Sequence, residues 1–83
     1  MKFSEHAKNK LEIYGIEGKE IIKECHKPLY EFYDTGEDAY IKIIELEKIP
    51  FVVVLDNTIQ TIITVYRTDY QTITKRNKNK RWT

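Results

Sequence analysis

The chain has 83 residues, of which 41% are hydrophobic and 33% are charged, and its formal net charge is +1. This length is enough for one domain with a single hydrophobic core, and this composition is typical of a folded protein rather than a disordered one. The longest apolar run, residues 49–55, is far too short to cross a bilayer, and the charged start is unlike a signal peptide. We therefore expect a cytoplasmic protein with no membrane partner.

The single cysteine, Cys25, excludes an internal disulfide and a cysteine zinc cluster. We interpret it as a small buried hydrophobic residue. The sequence has no spacing of histidine, cysteine and acidic residues that indicates a metal site, and no glycine-rich loop that would hold a nucleotide. It therefore predicts no metal and no other cofactor.

The small net charge conceals a separation along the chain. Residues 28–56 carry two lysines against seven acids, a net charge of −5, whereas residues 57–83 carry six cations against one acid, a net charge of +5. A polyanion responds to local potential, so the C-terminal segment is a candidate for RNA contact. A solvated, frayed tail is the alternative. Trp82 argues against simple fraying, because a large aromatic side chain tends to cover a surface or to stack on a base.

Two helices are predicted in the N-terminal part. Ser4 is a suitable N-cap, and apolar residues then follow at the spacing of one buried stripe until Gly15, which is suited to a left-handed C-cap. A second helix is predicted over residues 18–26. It should end there because Pro28 disfavours helical angles in the residue before it.

Four strands are predicted after the second helix, because apolar residues there recur at every second position. They cover residues 29–34, 39–47, 49–56 and 59–68, and a short further strand around 70–74 is one alternative for the chain beyond them. We predict an α+β fold of two layers, in which two helices pack on a four-stranded antiparallel sheet in the order α-α-β-β-β-β. Residues 1–74 form the domain in this prediction, and residues 75–83 form a basic tail.

His6 and Lys10 lie one helical turn apart on the predicted border between core and water. Together they can offer one ligand a titratable group and a fixed cation. An exposed histidine on an ordinary charged helix is the alternative interpretation.

Arg67 is the stronger candidate for phosphate binding, because it is the only arginine before the C-terminal segment. Its planar guanidinium can bind phosphate through two hydrogen bonds, which lysine cannot do, and the end of a strand is a rigid support. Nearby hydroxyls come from Tyr66, Thr68 and Tyr70. A structural ion pair with Asp69 is the alternative. The aromatic residues Tyr30, Phe32 and Tyr33 are predicted to pack rather than to act.

Two segments resemble a known group of small proteins. The start "FSEHAKNKLEIYGIEGKEI" resembles the F/S-x-H-A-x-x-[RK]-x-x-x-[RY]-G-I pattern of small bacterial and archaeal domains similar to RelE-like and BrnT-like toxins. These belong to the endoribonuclease fold group that includes barnase, EndoU and colicin E-type nucleases. The ending "ITVYRTDYQTI" also matches, so the resemblance covers most of residues 3–74.

The resemblance implies metal-independent cleavage of single-stranded RNA, in which the ribose 2′-hydroxyl attacks the adjacent phosphate. It implies that His6 acts as base or acid, and that Arg67 stabilises the transition state. Tyr66 or Thr68 would donate a proton or orient the phosphate. The substrate-binding residues would be Lys10, Tyr70, Lys75, Arg76, Lys78, Lys80 and Arg81. Lys10 stands where related proteins often have arginine.

The partners implied by this resemblance are RNA and an antitoxin protein. Two other functions stay open on the sequence alone. One is a non-catalytic RNA-binding or protein-interaction module on the same fold. The other is a plain interaction protein, such as a homodimer that pairs through an exposed strand edge.

Overall fold

The computed structural model describes residues 1–80 and 82–83, and in this part of the chain it contains three helices and one five-stranded sheet. The predicted α+β class is therefore confirmed. The elements are, in chain order, β1 (Lys2–Phe3), α1 (Glu5–Tyr14), α2 (Gly18–Cys25), β2 (Tyr30–Asp34), β3 (Ala39–Leu46), β4 (Ile49–Leu55), β5 (Thr61–Arg67) and α3 (Tyr70–Lys78).

The ends of α1 are set by the residues that the sequence indicated. The Ser4 hydroxyl accepts a hydrogen bond from the backbone N–H of Ala7 at 3.0 Å, which satisfies one of the free donors of the first turn. Gly15 ends the helix with φ of 67°, a left-handed conformation that glycine adopts without strain. Ala7 and Leu11 are the buried residues of α1, so its apolar stripe faces the sheet.

The sheet differs from the prediction in strand number and direction. Its order is β1-β5-β4-β3-β2, and β1 runs parallel to β5, with Lys2 opposite Thr61 and Phe3 opposite Ile62. The other neighbours are antiparallel. The prediction of four antiparallel strands was therefore wrong. A strand of two residues is too short to have a detectable period, and its pairing is decided by the tertiary structure.

The prediction of two layers was also wrong, because helices cover both faces of the sheet. On one face, here the α1/α2 side, residues of α1 and α2 share a core with Val53 and Val65. On the other face, here the α3 side, Val52 packs in a second core with Ile73 of α3 and with Trp82. Successive residues of a strand point to opposite faces. The apolar side chains of β4 therefore need to be covered on both faces of the sheet.

A third helix occupies the segment for which a short strand was one alternative. Tyrosine and threonine favour strands, but Asp69 provides an N-cap, since its carboxylate accepts from the backbone N–H of Thr72 at 2.7 Å. The segment predicted as a basic tail contains the last four residues of α3. It also contains Trp82, which is only 1% exposed.

Candidate nucleic-acid interface

The orientation of α3 is set by its buried and capping residues. Ile73 is buried against Ile41, Ile43 and Val52 of the sheet. At the N-terminus, the hydrogen bond from the Thr72 backbone keeps the pKa of the Asp69 carboxyl below its ordinary value. The opposite side of the helix must therefore face solvent.

That solvent side carries positive charge. The outer face of α3 consists of exposed side chains at helical spacing, Gln71, Thr74, Lys75 and Lys78. Among the described residues, no carboxylate forms a salt bridge with the ammonium group of either lysine. Lys80 follows the helix, is also exposed, and has φ of 61°. Three of the predicted substrate-binding lysines, Lys75, Lys78 and Lys80, thus lie on α3 or directly after it, whereas Lys10 lies on α1.

Three aromatic rings stack in sequence beside this helix. Phe32 lies 5.6 Å from the buried ring of Trp82, with an interplanar angle of 25°. Tyr30 lies 6.0 Å from Phe32, at 17°. Tyr30 itself is 50% exposed. This stacked aromatic row therefore runs from the core to the surface and presents its last ring to solvent.

Arg76 is bound within the fold and is half-buried. Its Cζ lies 5.1 Å from the centroid of the Trp82 ring, and its Nη1 donates to the hydroxyl of Tyr66 at 3.4 Å. Desolvated cation–π contacts of this kind stabilise a fold. The sequence placed Arg76 among the phosphate contacts, but its guanidinium holds α3 and Trp82 together.

Tyr70 borders the outer face of α3 and is 44% exposed. Its hydroxyl donates to Oε2 of Glu45 at 2.6 Å. This hydrogen bond, together with burial and the charge of Glu45, raises the pKa of the Tyr70 phenol. Nearby Tyr30 contributes to the same rise, so the two exposed tyrosines are neighbours on this surface.

His6 and Arg67 lie at opposite ends of α1. The helix begins where Ser4 donates to the carbonyl of Ile63 at 2.6 Å, and it ends where the hydroxyl of Tyr14 accepts from the backbone N–H of Arg67 at 3.3 Å. His6 is exposed in the first turn. The eight-residue step from His6 to Tyr14 corresponds to about 12 Å along the helix axis.

Arg67 lines a cavity of about 450 Å³ at the α1/α2 side of the sheet. His6 and Lys10 are absent from its lining. The described contacts include no ion pair between Arg67 and Asp69, the alternative interpretation of the sequence. The Asp69 carboxylate instead caps α3. Lys10 is half-buried on α1. Arg67 therefore has no described carboxylate partner, and the structure does not bring it together with His6 in this cavity.

Tyr66 and Arg67 point to opposite faces of the sheet, as adjacent strand residues do. Tyr66 packs against the core of the α3 side, and Arg67 lines the cavity on the other side. Thr68 lies between β5 and α3, where its backbone N–H donates to the carbonyl of Pro50 at 3.1 Å. These three predicted catalytic residues do not converge. Arg81 lies outside the described residues.

Tyr30 is the residue of this surface that sequence reasoning missed. The sequence predicted that Tyr30 and Phe32 pack, and Phe32 does pack on Trp82. Their spacing of two residues does place both rings on one face of a strand. The sequence could not show that Tyr30 is exposed, because Phe32 packs on Trp82, and Trp82 comes from the other end of the chain.

In the described part of the chain, no three histidine, cysteine, aspartate or glutamate residues are grouped so that they could hold a metal ion. Among the same residues, no helix has the length and apolar character that are needed to span a bilayer. Searches with protein-family models, among curated proteins and among solved structures found no match to this chain. The resemblance to RelE-like and BrnT-like toxins therefore stays a prediction.

Proposed function

We propose that this protein is a non-catalytic module that binds single-stranded RNA in the cytoplasm through the α3 side. The observation that carries the proposal is the stacked aromatic row of Tyr30, Phe32 and Trp82, which ends in an exposed ring near Tyr70, the first residue of the helix that carries the lysines. Proteins that bind single strands combine base-stacking rings with cations that contact the backbone. Both kinds of group occur here on one surface.

The lysines supply the electrostatic part of binding. Lys75 and Lys78 are exposed and form no salt bridge with a described carboxylate. Together with Lys80, they would contact about three phosphates. Each contact on a single strand contributes about −0.7 to the slope of log K against log salt, so we expect a slope of about −2.

Tyr30 supplies the stacking part. One side of its ring is covered by Phe32 at a centroid distance of 6.0 Å, while half of the residue is exposed. Phe32 is in turn held by Trp82, so the orientation of the Tyr30 ring is restricted before RNA arrives. Such preorganisation lowers the entropy cost of binding. Sequence preference should be weak, because every base has a stacking face.

The test is fluorescence anisotropy with a labelled 12-nucleotide oligouridylate over a series of salt concentrations. We expect Lys75→Gln/Lys78→Gln to weaken binding and to reduce the magnitude of the salt slope by about 1.4. The matched control is Lys23→Gln/Lys27→Gln, which removes the same charge from exposed lysines at the end of α2. If both double variants weaken binding equally, the effect is one of net charge, and the proposed surface is wrong.

Endoribonuclease activity is a second proposal, with an antitoxin or a second copy of the chain as partner. Its favourable observation is that Arg67, on the same side of the sheet as His6 and Lys10, has no described carboxylate partner. His6 does not line the cavity beside Arg67, and about 12 Å of α1 separates the two residues, so both side chains would have to extend toward each other to contact one phosphate. Labelled RNA incubated with the protein and with Arg67→Ala would decide the matter. Cleavage that Arg67→Ala abolishes would support a nuclease, whereas intact RNA is expected for the binding module.

A further inference from the structure

The cavity beside Arg67 takes no part in the proposed RNA-binding surface. Its walls combine apolar and charged side chains and come from the end of α1, the start of α2, the β3–β4 turn and the end of β5. Phe51 lies on its wall, with Tyr14 packed edge-on against it at a centroid distance of 5.5 Å. The volume of about 450 Å³ lies in the usual range of small-molecule sites.

The cavity carries charges of both signs. Arg67 provides a guanidinium, and Glu20 of α2 and Glu47 of the β3–β4 turn provide carboxylates. None of these three groups forms a salt bridge with another described residue. Arg67 lies opposite Phe51 near the start of β4, and Glu47 lies in the turn that leads into β4. Groups of both signs therefore lie at the same end of the sheet, as the carboxylate and ammonium of one small zwitterion would require.

The turn that carries Glu47 has a costly backbone. Glu47 has φ of 50° and Lys48 has φ of 67°. Both residues are in the left-handed region, where hairpin turns of this kind favour Asn-Gly. A bulky residue there costs of order 1 kcal/mol or more. Asn-Gly would relieve this strain, and strained residues are common where the side chain has a function.

We infer that this cavity binds a free α-amino acid with a large apolar side chain. Its carboxylate would pair with Arg67, which is suited to a planar anion. Its ammonium would pair with Glu47, and its side chain would contact Phe51 and Ile16. A purely anionic ligand fits less well, because the lining has two carboxylates against one guanidinium.

The test is isothermal titration calorimetry with L-phenylalanine and two analogues. Phenethylamine lacks the carboxylate, and 3-phenylpropionate lacks the ammonium. We expect each analogue to bind at least about tenfold more weakly than L-phenylalanine, because each leaves one charged group of the cavity unpaired. No binding of L-phenylalanine at millimolar concentration, or equal binding of all three compounds, would overturn the inference.

Two variants assign the charges. Arg67→Gln should weaken L-phenylalanine and 3-phenylpropionate but leave phenethylamine unchanged. Glu47→Gln should weaken L-phenylalanine and phenethylamine but leave 3-phenylpropionate unchanged. Glu12→Gln is the matched control, because Glu12 is exposed on α1 and does not line the cavity. A variant that weakens all three compounds alike would contradict the assignment of its charge.

The turn provides an independent readout. Glu47→Asn/Lys48→Gly should raise the unfolding temperature, since it relieves the left-handed strain, and should reduce L-phenylalanine binding to the level of 3-phenylpropionate. A stabilised variant that binds L-phenylalanine as tightly as the natural protein would show that Glu47 does not contact the ammonium, and would overturn the inference.

Discussion

The indole Nε1 of Trp82 donates a hydrogen bond to Oδ2 of Asp34 at 3.1 Å, across 48 residues of sequence. Asp34 is the last residue of β2 and is 3% exposed, and Trp82 is 1% exposed. The backbone N–H of Thr83 also donates to the carbonyl of Tyr33 at 2.8 Å, so the C-terminal residues continue the edge of the sheet beside β2. This contact holds the stacked aromatic row in place.

We expect Trp82→Phe to lower the free energy of unfolding by roughly 1–3 kcal/mol, because it removes a donor from a buried carboxylate. Trp82→Ala should cost more, about 3–5 kcal/mol, since it also removes the ring that supports Phe32. Urea unfolding followed by circular dichroism measures both changes. If Trp82→Phe is as stable as the natural protein, the hydrogen bond to Asp34 contributes nothing to stability.

Tyr30→Ala should weaken binding of single-stranded RNA by roughly tenfold, because stacking on one aromatic side chain contributes about 1–3 kcal/mol. The salt slope should stay unchanged, since no charge is removed. Tyr40→Ala is the matched control, because Tyr40 is 37% exposed and precedes Ile41, which faces the α3 side, so it points to the other face. Equal losses in the two variants would be inconsistent with stacking at Tyr30.

The cap of α3 should make its stability depend on pH. The hydrogen bond from Thr72 lowers the pKa of the Asp69 carboxyl. The stabilisation is therefore complete above the ordinary pKa of aspartate and is lost as the pH falls through the lowered value in the folded protein. Asp69→Ala should be less stable than the natural protein at pH 7, and the difference should shrink in acid. A difference that is constant from pH 7 to pH 2.5 would exclude a role for the ionised carboxylate.

Burial raises the pKa of the Cys25 thiol to about 11, against an ordinary value of 9.0. At pH 8 this shift leaves about 100-fold less thiolate. We expect reaction with a chromogenic disulfide reagent to be slower in the native protein than in denaturant by at least this factor. Cys25 is the only cysteine, so the whole signal reports on this position. Comparable rates in the two conditions would mean that the thiol is accessible in the native state.

The same shift predicts a loss of stability at high pH. The unfolded chain gives up the thiol proton near pH 9, whereas the folded chain keeps it until about pH 11. Folding stability should therefore fall between these values. Cys25→Ala lacks this contribution, so it serves as the control for the tyrosines and lysines that titrate in the same range.

The local elements of this protein were predictable because their signals are local. Ser4 and Gly15 delimit α1 through backbone groups within a few residues. The alternation of apolar residues located β3, and Pro28 follows the end of α2 closely. Arg67 was recognisable as a ligand-binding candidate from residue chemistry alone, and the structure leaves its guanidinium beside a cavity.

The remaining features depended on partners far apart in sequence. Val52 and Val53 point to opposite faces of β4, and the cover of the α3 side comes from Ile73 and Trp82, which are far away in sequence. The helical state of residues 70–78 was decided by the Asp69 cap and by burial of Ile73, against the strand propensity of the segment.

The sequence by itself determined the class of the fold, the limits of most helices and strands, and the location of positive charge near the C-terminus. Only the tertiary structure decided that this charge lies on a packed helix, that Tyr30 ends a row of stacked rings, and that His6 and Arg67 are separated by the length of α1. The physical reason is that periodicity and capping act over a few residues, whereas the burial of a side chain depends on whatever part of the chain packs against it.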